Sequence, residues 1–407
     1  MSASGVDHPV FVVARLQRDV AGQSKVGLVY TDRVDGAGGN RVLAADARII
    51  FRSIYSLQLQ GGGSQTRSNG VAAIAPIWQG IFSRDGRHFG FKYSLTGIRD
   101  DFRADSGFIS RGGIVHGNLN HRATWYGGEK GRLQSWTTGV QLDGIWQYKR
   151  VVAGEPLLEK KLHFNNTFKF QGGWTAGASA LFESFAFDEA LYAGYALQRG
   201  DGPAVEILPF SGTPHLRNAD YVLTVNTPQF ARFSGSLFYL WGRDENFFEW
   251  SSADILFATY AVDWRPNDKI RISPQYQLQQ FRRSTDGSIV GSRRIPRLKI
   301  EYQLSRPVFV RFVGEYDARR QDDLRDDSRT NLPIVIRDPA TGLYTRAAGF
   351  ERNVFRADWL FSYQPTPGTV FFAGYGSSLT EPESLRFGRL RRTADGFFVK
   401  LSYLLRM

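Results

Sequence analysis

The chain has 407 residues, with 51 Lys and Arg against 39 Asp and Glu for a formal charge of +12, and it contains no cysteine. The lack of Cys excludes disulfide scaffolds, Cys-ligated zinc, iron–sulfur clusters and thiol nucleophiles, and a 42% share of hydrophobic and 14% of aromatic residues excludes a disordered tail. A charge recurs every few positions, so no run approaches the roughly 18 apolar residues of a membrane-spanning helix. The opening Met1-Ser2-Ala3-Ser4-Gly5-Val6-Asp7 has neither a basic nor an apolar stretch, so no export signal is written there. The expectation is a protein that stays inside, or one whose beginning lies upstream.

In chain order the elements share a period of two. Phe89, Phe91, Tyr93 and Leu95 alternate with Lys92, Ser94 and Thr96, and Leu162, Phe164, Phe168 and Phe170 with His163, Asn165, Thr167 and Lys169. Ile270, Ile272, Tyr276 and Leu278 oppose Lys269, Arg271, Ser273, Gln275, Gln277 and Gln279. Leu298, Ile300, Tyr302 and Leu304 oppose Arg297, Lys299, Glu301 and Gln303, and Val308, Val310, Phe312 and Tyr316 oppose Arg311, Glu315, Asp317 and Arg319. Near the end Phe355, Trp359, Phe361 and Tyr363 oppose Arg356, Asp358 and Ser362, followed by Phe397, Val399, Leu401, Tyr403, Leu405 and Met407 on one parity.

Alternation alone fits a sandwich, a propeller or a barrel. Length favours the barrel: several alternations persist for about 10 residues or more, enough for a tilted strand to cross a bilayer, whereas sandwich strands peak near 5 to 6. Charges and amides at mid-strand also fit a wet lumen better than a dry core. Short turn-forming links at 171–173, 226–229, 265–268, 305–307 and 364–368 alternate with long polar stretches at 188–218, 243–251, 283–292, 320–350 and 379–391. Outer-membrane barrels join their strands in this way, with short periplasmic turns and longer outer loops.

The expected fold is therefore all-β, an antiparallel up-and-down transmembrane β-barrel filling 1–407 as one domain in the outer membrane of a Gram-negative bacterium. About 19 strands are visible, and because bacterial barrels have even counts the expectation is 20 or another even number when complete, with one or more strands preceding residue 1. The final strand would then lack a neighbour, leaving unpaired backbone groups at membrane depth.

Several strings support a family resemblance: Ala14-Arg15-Leu16-Gln17-Arg18-Asp19, Gly27-Leu28-Val29-Tyr30-Thr31-Asp32-Arg33, Gly86-Arg87-His88-Phe89-Gly90, Asp101-Phe102-Arg103-Ala104-Asp105-Ser106-Gly107-Phe108 and Val399-Lys400-Leu401-Ser402-Tyr403. Together they resemble the C-terminal β-barrel half of an uncharacterised Gram-negative outer-membrane family, a domain of unknown function that follows a sandwich similar to carbohydrate-binding family-nine modules. The resemblance implies glycan contact through that upstream module, which has no counterpart among these residues, and it implies no catalytic residue.

The candidate lumen-lining residues are Lys269, Arg271, Gln275, Gln277, Arg297, Lys299, Glu301, Arg311, Glu315, Asp317, Arg356 and Asp358. Their cations could bias passage toward anions or simply pair with neighbouring carboxylates. The candidate aromatic girdle is Trp241, Trp264, Tyr302, Trp359, Tyr363 and Tyr403. Basic residues at the outer rim suit lipopolysaccharide phosphates, and insertion would need the barrel-assembly machinery. The six histidines form no metal-ligand spacing. The acidic runs 100–105 and 322–327 read as solvated loops rather than calcium sites, because Arg interrupts them and the EF-hand glycine is missing. Gly61-Gly62-Gly63 reads as a flexible loop, since no phosphate-loop or nucleophile-elbow motif is present. The cations are spread over many strands instead of forming one patch, which argues against nucleic acid. No enzyme, metal or cofactor is expected, and the function is a pore, transporter or surface receptor. The alternative is a soluble all-β carbohydrate-associated module or hydrolase-linked protein, weakened by the lack of a catalytic carboxylate pair.

Overall fold

Period-two alternation becomes strand wherever it persists in the sequence. The computed structural model describes residues 8–68, 70–128, 130–151, 153–154, 156–187, 189–213 and 215–403; Leu405 and Met407, expected on the last strand, lie outside them. The strands in the first half are β1 Val10–Ala21, β2 Ser24–Asp35, β3 Gly38–Phe51, β4 Tyr55–Ser68, β5 Val71–Asp85, β6 Phe89–Ile98, β7 Ile114–Tyr126, β8 Leu133–Gln147, β9 Glu159–Phe170, β10 Thr175–Phe185, β11 Tyr195–Arg199 and β12 Glu206–Pro209. The second half adds β13 Leu216–Asn226, β14 Phe233–Asn246, β15 Ser251–Asn267, β16 Ile270–Arg283, β17 Ile289–Ser305, β18 Val308–Gln321, β19 Ile334–Arg337, β20 Tyr344–Arg346, β21 Phe350–Thr366, β22 Thr369–Glu381 and β23 Arg391–Ser402.

Nineteen of these strands form one large antiparallel up-and-down sheet, the expected fold class and count, and β12, β11, β19 and β20 form a second, four-stranded sheet. The chain divides into two compact units, the first built from Met1–Tyr126, Trp136–Asn166 and Leu181–Ala186, the second from Gly127–Ser135, Thr167–Ala180 and Phe187–Met407.

In the first unit β1 to β7 pair in sequence order, with Gln17, Gly27, Asp46, Gln60, Gln79, Thr96 and His116 opposite one another in a single polar row. One expectation changes here and another is refined. Gly61, Gly62 and Gly63 are not a loop but the middle of β4. The reason is steric: a Cβ on Gly62 would lie 2.6 Å from the Ala44 Cβ and 2.7 Å from the Leu43 carbonyl oxygen, so only glycine lets these strands approach. The run 100–105 keeps Asp100, Asp101, Arg103 and Asp105 exposed, as expected of a solvated acidic loop, but it is anchored. Phe102 is buried with Val42 and Ala75 against the polar-parity face, and Asn40 clamps the segment, its amide donating to the Arg103 carbonyl at 3.0 Å and its oxygen accepting from the Asp105 N–H at 2.9 Å.

In the second unit β13 to β18 pair consecutively and continue through β21, β22 and β23. β15, β17 and β21 each run for 17 residues, well beyond the roughly 9 to 11 that span hydrocarbon. That surplus shortens two links expected to be long, since strand reaches Asn246 and Arg283 and resumes at Ser251 and Ile289. The stretches 188–218 and 320–350 are likewise not irregular: they carry the four strands of the small sheet. Every described residue of β1 and of β23 is exposed.

The glycines of β4 provide a test. Gly62→Ala should destabilise by about 1–3 kcal/mol through overpacking against backbone, while Gly61→Ala, whose Cβ would meet nothing within 4 Å, should be close to neutral; urea midpoints of the two variants give the comparison.

Candidate functional site

Strand register turns the two parities into two faces of different chemistry. On one face a single row runs Phe233, Trp264, Ile272, Ile300, Phe312, Trp359, Tyr375 and Phe397, each directly opposite the next. These side chains are not a core: Trp264 is 47% exposed, Trp359 51% and Phe397 70%. The girdle candidates Trp241, Tyr302 and Tyr363 share this partial exposure, and Tyr403 lies just past the end of β23. A continuous apolar belt of exposed and half-buried side chains is unfavourable in water and suits hydrocarbon.

The opposite face carries the predicted polar residues in three rows. Arg271 faces Glu301, which faces Arg311 and then Leu360; Ser273 faces Lys299, then Val313 and Asp358; Gln275 faces Arg297, then Glu315 and Arg356. Gln277 sits opposite Ile295 on the same face, while Asp317 takes a bidentate pair from Arg293 at 2.8 Å through each oxygen. Lys269 departs from expectation: it occupies the two-residue link between β15 and β16, where its N–H donates to Asn267 at 2.9 Å, so it belongs to a turn and not to the wall.

Pairing explains most of these charges. Glu301 is held by Lys299 at 3.1 Å and by Arg271 at 3.6 Å, and Glu315 by Arg297 at 3.5 Å. Arg311 and Arg356 sit opposite those same carboxylates in the ladder, yet among the described residues neither has an ion pair or side-chain hydrogen bond. In the first unit the polar face carries histidine–carboxylate pairs instead: His116 with Asp143 at 2.8 Å, and His163 with Glu183 at 2.7 Å, where Lys161 adds a bond of 2.6 Å.

Beyond the strand ends of the second unit the links fold into a cap. β11 pairs with β12 and β19, and β19 with β20; Trp250 packs against Phe187, Tyr192 and Tyr195 at ring separations of 5.3–5.9 Å. At its base lies Arg283, fully buried. It donates to both oxygens of the equally buried Glu249 at 2.6–3.1 Å, to Asp322 at 2.7 Å and to the Asp323 carbonyl at 2.8 Å. Glu249 also accepts the Arg325 N–H at 3.0 Å. The acidic run 322–327 is thus not solvated: Asp326 and Asp327 are buried, accepting from Thr330 and Thr285. These carboxylates are used up in fastening loops together. Glu249 and Arg283 drew no notice in the sequence; the aromatic crowding of Phe247, Phe248 and Trp250 around Glu249 was the available sign that this link is packed rather than wet.

The chain matches no protein-family model and no curated protein. Among solved structures it is similar in strand arrangement to the siderophore receptor PiuA of Acinetobacter baumannii, at TM-score 0.47 and 8% identity over 97% of this chain and 74% of that one. The ferric-catecholate import receptor Fiu of Escherichia coli K12 follows at TM-score 0.41 and 8% identity, covering 98% and 81%. OmpT, an outer membrane protein of Vibrio cholerae, gives TM-score 0.35 and 12% identity over 87% and 97%.

Two predictions concern the cap. Arg283→Met leaves Glu249 buried without its cation and should destabilise by about 3–5 kcal/mol, read as protease cleavage within the 322–327 segment, which the unaltered protein resists. The second concerns pH. The Ser288 hydroxyl and N–H, followed by Arg325, hold the Asp286 carboxyl down to about 2, and Arg283 depresses Asp322. Carboxyls depressed by folding stabilise the folded form above their ordinary pKa, and that contribution is lost as pH falls through the folded values. The cap should therefore stay closed above about pH 4 and loosen toward pH 2, with pepsin cleavage rising over that interval and rising less steeply in Asp286→Asn.

Proposed function

We propose that this chain is an outer-membrane β-barrel acting as a transporter or receptor for a polar solute, in the outer membrane of a Gram-negative bacterium. The observation that carries this reading is the pair of faces in the second unit: an apolar row across eight strands, without a buried member, backed by rows of Arg, Lys, Glu and Gln. Lipid takes the first face, and a water-filled lumen, where charged groups keep their hydration, takes the second. In this arrangement the cap lies outside the cell and the two-residue turn between β21 and β22 lies in the periplasm. Lipopolysaccharide phosphates meet the basic outer rim, and the barrel-assembly machinery inserts the chain.

Membrane fractionation and heat-modifiable migration on gels test the reading; a monomer soluble without detergent overturns it. The lipid face has its own test. Ile300→Arg near the bilayer midplane should cost about 2–4 kcal/mol, whereas Gln275→Arg on the opposite face should cost far less, as read from unfolding midpoints in detergent. Orientation is checked by protease on intact cells, which should cut at the exposed 338–343 turn of the cap and spare the turn after Thr366.

A further inference from the structure

The polar face of the second unit breaks its own rule at one place. Leu360 lies opposite Arg311 on one side and Gly374 on the other, and Gly374 faces Phe398. Val313, opposite Asp358, adds a third apolar side chain on the same parity. Phe398 is 52% exposed although it stands on the polar side. Its ring lies over Gly374, where a Cβ would come within 2.2 Å of it, so the missing side chain is what lets the ring lie flat. Along the neighbouring row Gly376 and Gly396 face each other, which keeps the wall low beside the ring. The outcome is a cavity of about 710 Å³ whose lining includes Arg311, Arg356, Leu360 and Phe398 together with the carboxylates Asp358 and Asp395.

The charges around this apolar island are unequal in availability. Lys299 and Arg297 spend their charge on Glu301 and Glu315. Arg311 and Arg356 do not, because the carboxylates opposite them are already held by those other cations. Two guanidinium groups without an ion pair therefore share the cavity with a flat aromatic surface, while of the two carboxylates there Asp395 is held by Arg392 at 3.0 Å and Asp358 leans over Gly376; guanidinium is the side chain best shaped to grip a carboxylate through two parallel hydrogen bonds.

We propose that this trough binds a small organic anion in which a carboxylate is joined to a flat apolar group. Arg311 and Arg356 take the carboxylate, and Phe398 with Leu360 takes the apolar part. The site deepens the transporter or receptor reading and rests on it only for the direction from which the ligand arrives.

The test uses the full chain with sodium benzoate, sodium acetate and benzyl alcohol as probes, followed by saturation-transfer NMR, with heat-modifiable migration recorded on the same preparation. Benzoate should bind saturably, and at least tenfold more tightly than acetate or benzyl alcohol. The R311Q/R356Q double variant should weaken benzoate at least tenfold, and each single variant less. Neither arginine has a partner to strand, so folding should be unaffected. Phe398→Ala should weaken benzoate while leaving acetate unchanged, and Lys92→Gln, on β6 of the other unit, should change neither. Folded protein that shows no saturation by benzoate overturns the proposal, as does a double variant that binds like the unaltered chain or benzyl alcohol that binds as tightly as benzoate. A chain soluble without detergent that still binds benzoate through both arginines overturns the membrane reading and keeps the site.

Discussion

A backbone peptide group withdrawn from water needs a partner for its N–H and C=O, and the ladders between neighbouring strands are how this chain supplies one. Once the ladders exist the rest is geometry: side chains on successive residues point to opposite faces, so register alone decides which groups meet. The row from Phe233 to Phe397 is continuous because each strand of the second unit holds its neighbour in a register that keeps parity. A slip of one residue would carry the opposite parity into this row, setting Asp263 or Arg265 beside Phe233 and Lys299 or Glu301 beside Ile272.

The same ladders decide which charges are available. On the polar face cross-strand neighbours compete for carboxylates, and Glu301 is taken by Lys299 and Arg271 instead of by Arg311 opposite it. Most of the positive charge is therefore neutralised in place, which keeps the wall hydrated without giving it a strong field. What survives is local. In the cap the balance is struck differently: Arg283 and Glu249 are out of water altogether, and three further acceptors, Asp322, the Ser288 hydroxyl and the Asp323 carbonyl, satisfy the guanidinium's remaining donors, a condition for a buried pair to hold.

Much of this was legible in the amino-acid order. Ile300, Trp359 and their neighbours fell on the right parity because a period of two survives any choice of register, and the turns at 171–173 and 306–307 were marked by Gly and Pro. Contacts set by distant sequence were not legible. The burial of Phe102 goes with Asn40, 63 positions from the Arg103 carbonyl that it binds, and nothing local marks the exposed acidic run 100–105 as anchored. Gly62 likewise looked flexible because the obstacle to a side chain there is on another strand. Lys269 was misplaced for a simpler reason: alternation was carried one residue too far into a turn. Leu360 and Phe398 were visible as doublets with Trp359 and Phe397, departures from alternation that acquire meaning only when register sets them across Gly374.

The cap also has a consequence for time. Arg346 reaches Gln198 across 148 positions of sequence, and six long strands, β13 to β18, lie between the two excursions that build the small sheet. Closing so distant a contact costs chain entropy that no local interaction repays. The small sheet should thus be among the last parts of the second unit to form, after β13 to β18 have paired and brought its halves together. During biogenesis its completion would mark a molecule whose intervening strands are already in place, and a chain stalled earlier would expose Trp250 and its aromatic neighbours to any quality-control factor that binds apolar segments.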